Sequence, residues 1–228
     1  MNHIAIIGAS RGLGLGLACE YAKRGWHVTA TLRDRHAPSE LHTLAARHPE
    51  TVRIETVDIN LPDQVATLRQ TLAGTTIDIL FINAGIANGP HETLTATTTE
   101  AFTQLMITNA LSPLRTIEAL ADLVPETGTI AAMSSGLGSV TNNTTAGWEI
   151  YRASKAALNT LLRSFAIRTG GKRTILAIAP GWVRTDMGGP NAMLDVETSC
   201  RGMADTLTAR GGTAGSAYVN YLNQELPW

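Results

Sequence analysis

Tyr151 and Lys155 stand four residues apart at the start of a long helical pattern. That spacing puts both side chains on one helix face, close to each other. A free tyrosine ionises at about pH 10 and is a poor acid–base group at neutrality. An ammonium nearby stabilises the phenolate and lowers that value. The pair is therefore a candidate proton donor to a carbonyl oxygen. The plainer reading is an amphipathic helix face, since a tyrosine and a lysine at this spacing often meet by chance. Ser134 and Ser135, just after an apolar run, make chance a weaker account.

A second constellation follows the first apolar run. Gly8-Ala9-Ser10-Arg11-Gly12-Leu13-Gly14 carries glycines that permit a tight strand-to-helix turn and close backbone approach by a pyrophosphate. The helix N-terminus would then aim free N–H groups at that anion. An ordinary glycine-rich turn is the alternative. Gly16 extends the glycine phase and would serve close helix–sheet packing. The second strand decides the nucleotide. An NAD site usually carries an acid at its end, for the ribose 2′-hydroxyl. Here Val28–Leu32 runs into Arg33, and Arg11 sits in the glycine turn. Two guanidiniums at one ribose suit a 2′-phosphate, so NADP(H) is expected in preference to NAD(H). Two solvated arginines are the alternative; Asp34 would orient Arg33. Asp58, beside Ile59, could accept from an adenine amino group or simply serve a turn. Asn83-Ala84-Gly85 would let backbone lie against the adenosine ribose.

The elements that must position these residues alternate. Strands are expected at Ile4–Ile7, Val28–Leu32, Val52–Val57, Ile77–Asn83, Thr129–Met133, Ile175–Ala179 and Ala217–Val219. Helices are expected at Leu13–Arg24, Ser39–Ala46, Asp63–Ala73, Thr99–Leu123, Glu149–Thr169 and Val196–Thr208. Asn60 and Thr98 or Thr99 are candidate helix caps. Nearly continuous apolar strands fit a parallel sheet buried on both faces. The pattern reads as one α/β domain, a doubly wound parallel seven-stranded sheet with helices on both faces, spanning residues 1–228. Ligands in such sheets sit at the carboxyl ends of the strands, where the motifs fall.

Composition excludes several classes. The chain has 228 residues and a formal charge of −1, with 16% charged residues. An average soluble chain carries about 25%. That balance argues against nucleic acid as a partner. No apolar run is long enough for a membrane span, and no secretory signal is read at the N-terminus, so the cytoplasm is the expected compartment. Cys19 and Cys200 are expected to be free thiols. His3, His27, His36, His42, His48 and His91 show no ligand spacing, so no metal is expected.

In order, the Gly8–Gly14 turn, Asp58, Asn83-Ala84-Gly85, Asn109, Ser134-Ser135, Tyr151-x-x-x-Lys155 and Pro180-Gly181 make the chain similar to the short-chain dehydrogenase/reductase family. The likeness covers essentially the whole chain. Tyr151–Asn159, Pro180–Pro190 and Leu226-Pro227-Trp228 resemble its C-factor-like and Sniffer-like carbonyl reductases most. The resemblance implies a Rossmann-type domain that reduces a small or medium-sized carbonyl compound to an alcohol, reversibly. It implies Tyr151 as proton donor, Lys155 as its partner and ribose holder, and Ser135, with Ser134 as fallback, on the substrate carbonyl. Asn109 would help hold a relay water. Pro180, Gly181, Val183 and Thr185 would wrap the nicotinamide carboxamide. The competing reading is a C-factor-like nucleotide-binding signalling protein with weak or no catalysis.

The chain departs from the family in two places. The Ser135–Tyr151 interval is longer than usual, so Val140–Gly147 should bulge as a surface loop. The last strand lacks its usual Asp-Gly. Residues 186–212, punctuated by Gly and Pro around one helix, are expected to cover the substrate. Trp148, Trp182, Met187 and Met193 could form an apolar wall there. A homodimer or homotetramer is expected through Thr99–Leu123 and Glu149–Thr169, with Leu158, Leu161, Leu162 and Phe165 either core or interface.

Overall fold

A computed structural model describes residues 2–89 and 93–228. Strands β1 (His3–Ile7), β2 (His27–Leu32), β3 (Val52–Thr56), β4 (Ile79–Ile82), β5 (Thr129–Met133), β6 (Thr174–Ala179) and β7 (Gly215–Asn220) form one sheet. Its order is β3-β2-β1-β4-β5-β6-β7, and every neighbouring pair is parallel. Strand order reverses between β1 and β4, which is where such sheets open a ligand crevice. The expected strands are present. β7 runs longer than its apolar residues suggested, because Gly215 and Ser216 also pair with β6.

The alternation along β1 builds both layers. Ala5 and Ile7 face one core, and Ile4 and Ile6 face the other, all fully buried. Helices α3 (Pro62–Thr71), α5 (Ser112–Leu120) and α6 (Glu149–Arg168) cover the first face through Leu68, Ile117, Leu158, Leu162 and Phe165. Helices α1 (Gly12–Lys23), α2 (Glu40–Arg47) and α7 (Val196–Arg210) cover the second through Leu17, Tyr21, Leu41, Met203 and Leu207. Each such side chain contributes roughly 1.5–3 kcal/mol on burial. Leu158, Leu162 and Phe165 are therefore core, whereas Leu161 is exposed. Gly16 packs on α7 rather than the sheet: a Cβ there would stand 2.4 Å from Val196 and 2.7 Å from Cys200 Sγ.

Three local readings are corrected. The expected helix Thr99–Leu123 is broken into α4 (Thr99–Met106), a π-helical turn at Ile107–Leu111, α5 and a 3-10 turn at Ala121–Leu123. Pro113 has no N–H to give the Asn109 carbonyl, so the ladder cannot continue in α register there. Asn60 does not cap α3: Leu61 holds the cap position, and the Asn60 amide donates to Thr108 Oγ1 at 3.0 Å instead. Thr98 does cap α4, accepting from Ala101 N at 3.1 Å. The last half of 186–212 is α7, whose Cys200, Met203, Ala204 and Leu207 are core residues. Only residues 186–195 form the irregular stretch.

Among the described residues no helix is long and apolar enough to cross a membrane. Nor does any group of His, Cys, Asp and Glu have metal-holding geometry among them. His91 lies outside the described residues.

Candidate active site

A cavity of about 420 Å³ opens at the carboxyl ends of the strands. Of the residues singled out from sequence, Gly8, Ser10, Arg11, Gly12, Leu13, Arg33, Asp58, Ile59, Asn83, Ala84, Gly85, Tyr151, Lys155 and Thr185 line it. Gly14, Asn109, Ser135, Pro180, Gly181 and Val183 stand outside the lining. A second depression, about 570 Å³, lies at the opposite, amino ends of β1, β2 and β3 among His3, His27 and Arg53 and holds none of the site residues.

The glycine turn is built by close packing. Gly12 sits at φ +57°, a left-handed conformation. A Cβ on Gly14 would stand 2.1 Å from the Gly8 carbonyl, so only glycine fits. Thr31 Oγ1 accepts from Gly8 N at 2.9 Å, and Asn83 Nδ2 donates to the Gly8 carbonyl at 2.6 Å. The Asn83 side chain thus serves the turn. Helix α1 begins at Arg11 with no side-chain cap and no acid in its first turn. Its first N–H groups are therefore available to an anion. Arg33 is exposed on the same cavity, and Arg11 donates to Asp186 at 2.7 Å from across the mouth. Asp58 accepts from Asn60 N at 2.9 Å, so the turn role and the cavity position coexist. Asn60 Oδ1, on the same wall, is a buried acceptor with no donor among the described residues. Uncapped N–H groups and two arginines as donors, with this acceptor, make a set that a nicotinamide dinucleotide fits.

The other wall holds the acid–base groups. Tyr151 is 9% exposed, and the Ser135 side chain is its polar neighbour. Burial pushes its hydroxyl up to about 12, opposed by Ser135 and reinforced by Tyr218. Lys155 is 3% exposed, and burial pushes its ammonium down to about 8. It donates to the Met133 carbonyl at 2.9 Å and lies 5.7 Å from the Tyr151 ring centroid. The expected lowering of Tyr151 by Lys155 is not among the influences on its hydroxyl, which burial dominates. Ser134 does not face Tyr151; it donates to Asn159 Oδ1 at 2.6 Å.

Asn109 is fully buried in the π turn. Its amide accepts from Ile86 N at 2.8 Å and donates to Ile86 O at 2.8 Å and Ser154 Oγ at 3.0 Å. Ser154 in turn donates to the Tyr151 carbonyl at 2.8 Å. The side chain therefore braces the site. Farther along, Ser199 Oγ donates to the Pro180 carbonyl at 2.7 Å, and Gly181 at φ +83° leaves room for Leu194. Val183 is buried and pairs with Leu194, while Thr185 Oγ1 accepts from Gly188 N at 3.1 Å. The loop between Val140 and Gly147 is exposed beside the site, as its length suggested.

Trp148, a candidate for the apolar wall, converges here with two residues that carry no sequence signal, Arg152 and Tyr218. Trp148 takes φ +60°, unusual for a bulky side chain, and its ring meets Tyr151 edge-on at 5.8 Å. Arg152 is buried and donates to Gly147 O at 2.9 Å and Thr145 Oγ1 at 2.9 Å. Tyr218 donates to the Ser135 carbonyl. Nothing at these positions has a diagnostic spacing.

Residues 8–211 match the family model described as enoyl-(acyl carrier protein) reductase. The chain belongs to the short-chain dehydrogenase/reductase family. It is 35% identical to C-signal of Myxococcus xanthus over 67% of this chain and 93% of that protein. A Burkholderia multivorans protein assigned to short-chain dehydrogenases/reductases, solved with bound NADP, is 47% identical with a TM-score of 0.97. That likeness covers 100% of this chain and 99% of the other. A carbonyl reductase of Pseudomonas aeruginosa in complex with NADP is 38% identical, TM-score 0.93, over all of both chains. The Drosophila melanogaster carbonyl reductase Sniffer is 32% identical, TM-score 0.90, over all of both chains. The protein is thus an oxidoreductase of this family, near the carbonyl-reductase branch its motifs resembled.

Proposed function

We propose that this oxidoreductase reduces a small or medium-sized apolar aldehyde or ketone to its alcohol, reversibly, preferring NADP(H) to NAD(H). The pairing of Tyr151 with Lys155, 5.7 Å from its ring centroid, in a cavity that also holds Arg11 and Arg33 and has Ser135 beside it, carries the reading. Gly8, Ser10, Gly12, Leu13 and Gly14 would cradle the pyrophosphate. Arg11 and Arg33 would hold the 2′-phosphate. Asp58 and Ile59 would meet the adenine, and Asn83, Ala84 and Gly85 its ribose. Pro180, Gly181, Val183 and Thr185 would hold the carboxamide. When bound, the reduced nicotinamide supplies hydride to the carbonyl carbon.

The chain's own residues handle the proton. Tyr151 is fully protonated at neutral pH and gives its proton to the carbonyl oxygen; in oxidation it takes one from the alcohol. Ser135 bonds that oxygen as charge develops on it. Lys155 keeps a positive charge beside the forming phenolate and would hold the nicotinamide ribose. Asn109 fixes the Ile86 backbone and Ser154 around any relay water. Trp182, Met187 and Met193, all exposed, supply apolar surface for a substrate, and residues 186–195 would close over it.

NADPH oxidation against a panel of aldehydes, ketones and diketones tests the reading. Tyr151→Phe should lose roughly 100-fold or more of the rate. Activity unaffected by that change overturns the mechanism. The likeness to C-signal favours one second reading, a nucleotide-binding regulator. Tight NADPH binding with no turnover of the whole panel would select it. A cytoplasmic homodimer or homotetramer remains part of the proposal. Exposed Phe102, Leu111, Leu161 and Ile167 on α4, the π turn and α6 support it, and light scattering checks it.

A further inference from the structure

Tyr218 lies in the middle of β7, a strand that contributes nothing to the cavity lining. It is 1% exposed, yet it carries a hydroxyl among apolar neighbours. That hydroxyl donates to the carbonyl of Ser135 and lies beside the side chains of Ser134 and Asn159. A buried phenol reaching a loop carbonyl more than eighty residues away is a specific commitment. From there the path to the reacting group is short. Ser135 caps the 3-10 turn Gly136–Gly138, its Oγ accepts from Leu137 N at 3.2 Å, and the same side chain neighbours Tyr151. Rotation of the Ser135 peptide would move that hydroxyl.

The tail keeps Tyr218 in place. Leu226 N donates to the Tyr218 carbonyl at 2.8 Å, and the Trp228 ring packs on the Tyr218 ring at 5.5 Å. A Trp228 main-chain oxygen accepts from Thr141 Oγ1 at 3.3 Å and Thr141 N at 3.4 Å. Arg163 lies over the indole at 5.4 Å. One strap thus joins β7 to both ends of the segment after Ser135.

We propose that Tyr218 is a positioning residue: its hydroxyl fixes the Ser135 backbone so that the serine side chain meets Tyr151 and the substrate oxygen. The inference rests on the roles proposed above for Ser135 and Tyr151. Phenylalanine would keep the ring, its packing on Trp228 and the strand, and remove one donor.

Tyr218→Phe, Ser135→Ala, Tyr151→Phe and the double variant Ser135→Ala/Tyr218→Phe are to be compared. The fastest substrate of the carbonyl panel is the probe. Tyr218→Phe should lower kcat about tenfold, since small displacements of a positioned group are costly. KM for NADPH should stay within about twofold, because β7 does not line the cavity. In the Ser135→Ala background the same change should add nothing. A crystal structure of Tyr218→Phe should show the Ser135 side chain turned away from Tyr151. Unchanged kcat, an equal loss in both backgrounds, or an undisturbed Ser135–Tyr151 contact overturns the inference. If Tyr151→Phe keeps full activity, the mechanism itself fails. If Tyr151→Phe is dead and Tyr218→Phe is normal, only the role of Tyr218 fails.

Discussion

The ammonium of Lys155 donates to the Met133 carbonyl at 2.9 Å while standing 5.7 Å from the ring centroid of Tyr151. Both groups are buried, and burial drives them in opposite directions, the lysine down to about 8 and the tyrosine up to about 12. For the lysine, the folded chain holds fewer protons than the unfolded chain between about pH 8 and its ordinary 10.5. Stability therefore rises with pH across that window, and below it the buried charge is a cost. For the tyrosine the sign is reversed: stability falls as pH rises from its ordinary 10.0 to about 12. Lys155→Met should thus stabilise the fold at pH 7 by on the order of 1 kcal/mol or more. It should also cut carbonyl reduction at least about 100-fold. Thermal melts at pH 7 and pH 10 check this. The gain should shrink at pH 10, and a melting point that falls at pH 7 sinks the argument.

Much of this architecture was legible beforehand for a physical reason. Ile79–Ile82 and Ile175–Ala179 are apolar on both faces, which suits only a strand covered on both sides. Gly8–Gly14 is legible because a Cβ at Gly14 has nowhere to go. The Thr99–Leu123 break was harder. Its helical periodicity is continuous, and only Pro113 marks the point where α register fails. Asn60 looked like a cap because of its residue type; Leu61 and Pro62 moved the helix start past it. The contacts of Tyr218 and Arg152 were illegible because their partners lie across the fold or in a loop. No spacing encodes a bond from β7 to Ser135.

Gly16 makes a packing test that leaves the site alone. A Cβ there would press on Val196 Cγ1 and Cys200 Sγ, both ends of side chains rather than backbone. Gly16→Ala should therefore cost about 1–3 kcal/mol, as overpacked cores do. Adding Val196→Ala should restore part of that loss, because it removes the nearer atom. Denaturant midpoints for the single and double variants decide it. No recovery in the double variant would mean the strain lies elsewhere.

Asp186 holds the arginine proposed above for the 2′-phosphate. Arg11 and Asp186 are both largely exposed, so their 2.7 Å pair contributes little to stability. Removing the carboxylate leaves Arg11 available and takes a negative charge from the cavity mouth. Asp186→Asn should tighten NADPH about two- to tenfold, leave NADH nearly unchanged, and leave the melting point where it is. Arg33→Asp should do the converse, weakening NADPH more than NADH. Fluorescence titrations with both nucleotides read these changes. Equal shifts for the two would remove the 2′-phosphate from the explanation.

Arg152 and Trp148 pack the start of α6 beside Tyr151. Trp148 holds a left-handed backbone that costs an L residue about 1–2 kcal/mol. The buried Arg152 guanidinium clasps the two residues before the turn, through Thr145 and Gly147, and so holds the indole against Tyr151. Arg152→Met should free residues 144–148 without touching the nucleotide cavity. Amide exchange in that stretch should rise, and KM for the carbonyl substrate should increase about tenfold, with NADPH affinity within about twofold. Trp148→Gly separates the two contributions. Glycine relieves the backbone cost, so the melting point should hold, yet the aromatic wall is gone and KM should still rise. If Trp148→Gly leaves KM unchanged, the indole is packing for Tyr151 and not a wall for substrate.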